Sequence, residues 1–393
     1  GDLPACVGLR DGPRRPLGLP WRSRLGRWSH LTARAKRDVR KTRAPDAFEE
    51  YFFYQTLLGS WPFDALDGRI PDGYTARVQA TMVKAAREAK RNTTWTDPDP
   101  SYAEALSRFV SGVLEGPDAR PFLDDFLPFA RKIARIGAVH SLAQTVLKLA
   151  SPGVADVYQG SELWDLNLVD PDNRRPVDYE RRAGFLNLIR ERLETGLSRA
   201  ELARELFADF ETGAIKLYVL WTALTHRKGD QELYLKGDYR KVAVRGEHRR
   251  HVVALSRRWA GRSVLAVVPR LVSRMMGPEA SRAPLGPETW GDSRLVLPRP
   301  THPGPWRDLM TDRVFEARAH GGRQVLDLGS IFRDLPVAIL VAGPGEAGTE
   351  ERSGAEGDRF PSGCEAQRPT NKPSTAVCRG SPNLGGTAPF QRP

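Results

Sequence analysis

Ten residues constrain this chain more than any others. From Phe48 to about Arg227 the sequence reads helix after helix, and Ser151–Gly160 (SPGVADVYQG) interrupts it. A Pro-Gly pair sets a turn, a brief Val/Tyr run follows, and Gln-Gly closes it. That pattern predicts a short, buried strand of the parallel kind at Val154–Tyr158. Around it the helical period is plain. Tyr74–Arg91 (YTARVQATMVKAAREAKR) places Val78, Met82 and Ala85 on one face and basic residues on the other. Ser101–Leu114 and Pro121–Leu149 predict two more helices, the second with Pro near its first turn.

After Arg227 the rhythm changes to short apolar runs between turns. Strands are predicted at Tyr239–Val244, His251–Arg257, Ser263–Val268, Arg294–Leu297, Gln324–Leu328 and Val337–Val341. Their spacing predicts an antiparallel β-sandwich over 232–342, with Leu255, Val264 and Val267 in its core. The two ends read differently. Residues 1–43 are rich in Arg, Gly and Pro without a sustained apolar period, and residues 343–393 hold 9 Gly and 7 Pro. Both are expected to lack packed structure.

The charge follows the same division. The chain carries a net +12, yet residues 1–43 hold 12 Lys/Arg against 3 Asp/Glu, and residues 44–342 carry only +3. A nucleic-acid binder needs its charge on a folded surface, so the distribution argues against one. Hydrophobic residues make up 40% and charged residues 27%, as in a globular protein. No run approaches the roughly 18 apolar residues of a membrane span. The three cysteines, Cys6, Cys364 and Cys378, lie in the two ends, so no disulfide or cysteine metal site is expected in the body. With no apolar leader visible, a reducing cytoplasm is the expected location.

The densest chemistry lies in Val154–Tyr179 (VADVYQGSELWDLNLVDPDNRRPVDY). Asp156, Glu162, Asp165, Asp170, Asp172 and Asp178 supply carboxylates. Gln159, Asn167 and Asn173 supply amides, and Arg174 and Arg175 supply forked donors. Tyr158 and Trp164 supply flat apolar faces. Sugar recognition uses that mixture, because hydroxyls need paired donors and acceptors while a pyranose face stacks on a ring. A polar loop with Asp-Pro-Asp-Asn turns and internal ion pairs would read the same way, and Asp178 is better placed as the N-cap of a helix opening at Tyr179. If Val154–Tyr158 is a strand of a β/α barrel, Gln159–Glu162 emerges at the face where such barrels keep their sites. Lys84, Arg87 and Arg91 share one helix face, which by itself reads as a solvated surface. The aromatics of Tyr51–Trp61 read as packing residues, while Trp61 and Trp95 are open to either core or sugar-stacking roles.

PGVADVYQGSELWDLNLVDPDNRRPVDY resembles the last barrel strand segment of malto-oligosyltrehalose synthases, members of the α-amylase clan. EYFFYQTLLGSWP at Glu50–Pro62, KAAREAKRNTTW at Lys84–Trp95, VPRL at Val268–Leu271 and FRDLPVAILVA at Phe332–Ala342 match in the same order. The resemblance covers about residues 44–342. It implies an α/β fold: the incomplete C-terminal part of a (β/α)8 barrel with helical additions over 44–231, then the antiparallel β-sandwich. It implies an isomerase that turns the reducing-end α-1,4 linkage of a malto-oligosaccharide into an α,α-1,1 linkage in trehalose biosynthesis, with no cofactor, no membrane and no obligate protein partner. It implies substrate contact by Tyr158, Gln159, Glu162, Trp164, Asp165, Asp170, Asp172, Asn173, Arg174 and Arg175, bordered by Lys84 and Arg87.

The same resemblance exposes a gap. Retaining chemistry at a glucosidic carbon needs two carboxyl groups about 5–5.5 Å apart. A whole barrel takes about 250 residues at about 30 per β/α unit, whereas 153 residues precede Val154, of which the first 43 are expected to be unstructured and most of the rest helical. The family's seventh-strand motif, Thr-His-Asp-Thr-Lys-Arg before Asp-Val-Arg, has its nearest counterpart in SHLTARAKRDVR at Ser29–Arg40. With His30 on the motif's His, Leu31 takes the place of the acid. No catalytic residue is assignable, and the chain alone is expected to be catalytically incomplete; a non-catalytic α-glucan-binding protein is the alternative.

Overall fold

The computed structural model describes residues 18–277, 280–299 and 304–343, so the three cysteines and nearly all of the 343–393 tail lie outside the described residues. Among the described residues, nine helices and a β-hairpin occupy the first part. They are α1 (Gly18–Leu31), the hairpin β1 (Arg37–Val39) and β2 (Thr42–Ala44), α2 (Ala47–Ser60), α3 (Tyr74–Ala89), α4 (Pro100–Leu114) and α5 (Ala119–Ala150), followed by α6 (Tyr179–Glu194), α7 (Arg199–Ala208), α8 (Ala214–Gly229) and α9 (Gln231–Lys236). Their starts are written locally. Asp46 and Ser198 form capping boxes with Glu49 and Glu201, Asp99 caps α4, and the Asp178 carboxylate accepts the Arg181 N–H at 2.9 Å, as its N-cap role requires.

Two antiparallel sheets follow, built from β3 (Arg240–Lys241), β4 (Ala243–Arg245), β5 (Val252–Trp259), β6 (Arg262–Pro269), β7 (Arg294–Val296), β8 (Trp306–Asp308), β9 (Val314–Phe315), β10 (Arg318–His320), β11 (Arg323–Asp327) and β12 (Ala338–Ala342). One has the order β3-β5-β6-β12-β8-β9 and the other β10-β11-β7-β4. Short helices α10 (Pro287–Trp290) and α11 (Leu328–Ile331) cross between strands.

The apolar side chains fall into layers. Trp21, Trp28, Phe53, Tyr54, Trp61, Met82, Phe109, Phe122 and Phe126 join α1–α4 to the first half of α5. Leu142, Val146 and Leu149 continue along α5 into a second layer with Ile189, Leu202 and Ile215. With 32 residues, α5 runs about 48 Å and so serves both layers. The six-stranded sheet is buried on both sides. Leu255, Val264, Ala266, Val268 and Ile339 face the helices, whereas Leu265, Val267, Ala338 and Leu340 meet Leu295, Leu297 and Leu326 of the smaller sheet. That is why β6 from Val264 onward and β12 read as unbroken apolar runs, with no polar alternation. Leu255, Val264 and Val267 are all core residues, but only Val267 lies between the sheets.

Two expectations are corrected. Residues 18–43 are structured: α1 sends Trp21, Leu25 and Trp28 into the first layer at helical spacing, and the hairpin follows. The abundant arginines masked that stripe. Part of their charge is met within the folded body, since Arg24 and Arg27 pair with Asp125 at 2.6 and 3.0 Å and Lys36 pairs with Glu50 at 2.7 Å. The second correction concerns Val154–Tyr158, which is no strand. It joins no ladder, and Val154 is 97% exposed. Every ladder among the described residues is antiparallel and lies elsewhere.

Candidate functional site

The polar stretch 154–179 is a long irregular segment held at two points by arginines from neighbouring helices. At the C-terminal point, Arg77 in the first turn of α3 grips Asp172. Nε donates to Oδ1 and Nη2 to Oδ2, both at 2.7 Å, and Nη2 reaches the Leu166 carbonyl at 3.2 Å. The Asp172 carboxylate also accepts the Leu168 N–H at 2.7 Å, and Arg175 lies 3.1 Å away. Burial works to raise the Asp172 pKa, but the Arg77 bonds, the Leu168 amide and the nearby guanidinium charges outweigh it, holding the carboxyl below its ordinary value. Lys84, two turns along α3, donates to the Asp170 carbonyl and sits 3.7 Å from Glu88.

At the N-terminal point Arg182 of α6 plays the corresponding part. Its guanidinium donates to Glu162 at 2.8 Å, to the Gly160 carbonyl at 2.6 Å and to the Asp178 carbonyl at 2.8 Å. Gly160 has φ +90°, and a Cβ there would lie 3.1 Å from Val177, so the turn beneath Arg182 requires glycine. Between the two points Trp164 anchors the segment to the interior. Its indole N–H donates to the Phe210 carbonyl at 2.5 Å, its ring packs tilted on Phe63, and Lys216 Nζ lies 5.8 Å from it.

The predicted site residues thus divide into groups. Asp172, Lys84, Asp170, Arg174 and Arg175 are brought together: Arg174 pairs with Asp170 at 2.5 Å, and Arg175 donates to Asn167 at 2.6 Å. Asn173 stands in the same turn with a buried Oδ1 that has no hydrogen-bond partner among the described residues. Asp165 accepts the Asn167 N–H at 3.1 Å. Glu162 is joined to Arg182, and Gln159 to Tyr179, whose hydroxyl lies 3.4 Å from Gln159 Oε1. Tyr158 and Tyr179 are the exposed aromatic faces, at 46% and 56%. Arg87 belongs to neither group. Its guanidinium lies 4.9 Å from the ring of the exposed Trp95. Trp61 is buried in the first layer, and the Tyr51–Trp61 aromatics pack there too. Two cavities, of about 730 and 390 Å³, lie away from this segment and are lined by residues between 241 and 333.

Sequence reasoning missed Arg77 and Arg182. A signal existed for each. Arg77 lies seven residues before Lys84 on the same helix face, and Arg182 lies four after Asp178. The stretch Ser29–Arg40 forms the end of α1, a 3-10 turn and the start of the hairpin. There Leu31 packs against the first layer and Lys36 locks onto buried Glu50. Among the described residues no group of His, Cys, Asp and Glu could hold a metal, and no helix is long and apolar enough to cross a membrane.

No protein-family model matches the chain. Two curated proteins of Mycobacterium tuberculosis, from strains CDC 1551 / Oshkosh and ATCC 25618 / H37Rv, bear the name "Putative maltooligosyl trehalose synthase". Each is 32% identical to the chain over 298 residues, which is 76% of this chain and 32% of the relative. The solved maltooligosyltrehalose synthase of Arthrobacter ramosus is 30% identical with a TM-score of 0.58, covering 80% of this chain and 35% of that one. A structure from Sulfolobus tokodaii described as a hypothetical maltooligosyl trehalose synthase gives 26% identity and a TM-score of 0.54, over 82% of this chain and 35% of that one. The chain therefore spans about a third of the length of the relatives it matches. Over more than three quarters of its own length, this chain is similar in sequence and in fold to maltooligosyl trehalose synthases.

Proposed function

We propose that this chain supplies a glucan-holding wall of a malto-oligosyltrehalose synthase type of isomerase, the kind that converts the reducing-end α-1,4 linkage of a malto-oligosaccharide to an α,α-1,1 linkage. In this reading residues 44–231 are the counterpart of the barrel's C-terminal portion with its helical additions, and residues 232–342 form a β-sandwich. The observation that carries it is the junction of Arg77 and Asp172. It clamps the sugar-type segment 154–179 onto the helix whose KAAREAK string belongs to the same resemblance. Exposed Tyr158 offers a ring for a pyranose face. Gln159, Asp165, Asp170, Asn173, Arg174 and Arg175 offer donors and acceptors for hydroxyls, and Glu162, paired with Arg182, keeps its second oxygen as an acceptor. Asp172, Trp164 and Lys84 hold the segment in shape, and Arg87 with Trp95 extends the surface.

The chemistry needs a carboxylate nucleophile and a carboxylic acid facing one another. None is assigned among the described residues, so the chain by itself is proposed to bind glucan without turning it over, in a reducing cytoplasm and without a cofactor. Incubation with maltopentaose should yield no non-reducing product, while the chain should be retarded on immobilised amylose and not on heparin at raised salt. Sustained turnover would overturn the proposed incompleteness. Passage through amylose without retardation would overturn the glucan-binding reading.

A further inference from the structure

The outer side of the four-stranded sheet concentrates positive charge. In the antiparallel pairing of β4 and β7, Arg245 stands directly opposite Arg294, and in that of β10 and β11 His320 stands opposite Arg323. With Lys241 these four line a groove of about 390 Å³, which also takes in the apolar side chains Val296 and Val325. Among the described residues no carboxylate lines it. Asp327, next to Arg294 in register, is committed to Arg318 by two bonds of 2.9 and 2.6 Å, and Asp292 stands 3.8 Å from Arg294. Lys241, Arg245 and Arg323 make no ion pair among the described residues.

Like charges directly opposite one another destabilise an antiparallel pair, so the Arg245–Arg294 match costs the sheet unless an anion joins it. Arg294 is also held in place. Nη2 lies 2.9 Å from His320 Nε2, within hydrogen-bond distance of the imidazole. Nη1 donates to the Asp292 carbonyl at 2.9 Å. A fixed fork opposite a free one matches the oxygens of a phosphoryl group. We propose that this groove binds a small phosphoryl anion, a phosphate monoester or pyrophosphate, between Arg245 and Arg294, with Lys241 and Arg323 at its margins. Asp292 and Asp327 flank the groove, so the charge does not continue as the stripe that a nucleic acid would track.

The test is calorimetric titration of the full chain with sodium pyrophosphate, and separately with glucose 6-phosphate, in a low-salt buffer free of other polyanions. Saturable binding of either is expected. Loss of the charge-assisted bonds in Arg245→Gln/Arg294→Gln should weaken it by about tenfold or more. Arg333→Gln, in the other cavity, should leave it unchanged. Tighter binding of the sugar phosphate would identify an ester as the occupant, and tighter pyrophosphate the inorganic anion. Circular dichroism checks the double variant, whose Tm without ligand should match or exceed the parent's because the opposed charges are gone. Should that variant fail to fold, exposed Arg323→Gln carries the same expectation at a smaller loss. Binding that survives these changes, no binding at about 10 mM ligand, or salt-sensitive binding of heparin alone would overturn the proposal.

Discussion

Replacing Arg77 by Met keeps the bulk of the α3 side chain and removes the clamp on Asp172. Two N–H···O bonds of 2.7 Å are lost, between side chains that are 19% and 10% exposed. Breaking a buried pair costs about 3–5 kcal/mol when the remaining charge is stranded. Asp172 is not fully stranded, because the Leu168 amide and the half-exposed Arg175 still face it. A local cost of about 2 kcal/mol follows, allowing about 1–3 kcal/mol for the partners that remain. The same bonds join in a double-mutant cycle with Asp172→Asn, whose coupling should come to about 2 kcal/mol. Trypsin reads the local opening directly. The Arg174–Arg175 bond lies in the clamped turn, with Arg174 73% exposed at its side chain, while Arg175–Pro176 resists the protease. When opening and closing outrun cleavage, about 2 kcal/mol corresponds to about 30-fold faster cutting at Arg174, followed by mass spectrometry. Amylose retardation should fall with it. Cleavage within about threefold of the parent, or a coupling under about 0.5 kcal/mol, would show that Arg77 does not hold this segment and would remove the observation on which the glucan reading rests.

Trp28, fully buried among Tyr54, Phe122, Phe126 and Phe129, should cost about 3–5 kcal/mol of unfolding free energy as Trp28→Ala, measured in urea; an effect near zero would return residues 18–43 to unstructured chain. Asp308 gives a pH dependence of opposite sign to that of Asp172. Burial, aided by Asp312 and resisted by bonds from Thr311, Met310 and Ile339, pushes its carboxyl up to about 6, against 3.8 ordinarily. Between these values the folded chain holds a proton that the unfolded chain has released. Stability from this group is therefore full below about pH 4, declines by about 3 kcal/mol towards pH 6 and is flat above. Asp308→Asn should flatten that decline in urea titrations at a series of pH values; an unchanged slope would refute the assignment. Asp172, held below its ordinary value, contributes stability that is present near neutrality and lost as the pH falls, so Arg77→Met should also lessen acid sensitivity.

Much of this protein was legible residue by residue. Apolar spacing located α3, α4 and α5 and five of the strands, and N-cap chemistry the Asp178 cap, because those signals are local, whereas the run Tyr239–Val244, expected as one strand, is divided between β3 of one sheet and β4 of the other. Spacing failed where a signal was diluted or the missing information was remote. Trp21, Leu25 and Trp28 form a core stripe in a segment whose many arginines obscure the apolar period, and those arginines find Asp125 about a hundred residues away. The strands at Trp306–Asp308, Val314–Phe315 and Arg318–His320 are too short to carry a pattern.

The sequence by itself determined the inventory: helices first, antiparallel strands after, and one stretch dense in groups that suit a sugar. Only the tertiary structure decided which of those groups are free. It spent Asp172 on Arg77 and Glu162 on Arg182, drew Trp164 inward, and left Tyr158 outside. It also left Val154–Tyr158 unpaired, since strand propensity sets a preference while a ladder requires a neighbour. Pairings such as Arg77 with Asp172 join residues 95 positions apart, and no local rule fixes them. They form because burying a carboxylate is tolerable only beside its counter-charge, and the packing of α3 against the segment determines which guanidinium is there to meet it.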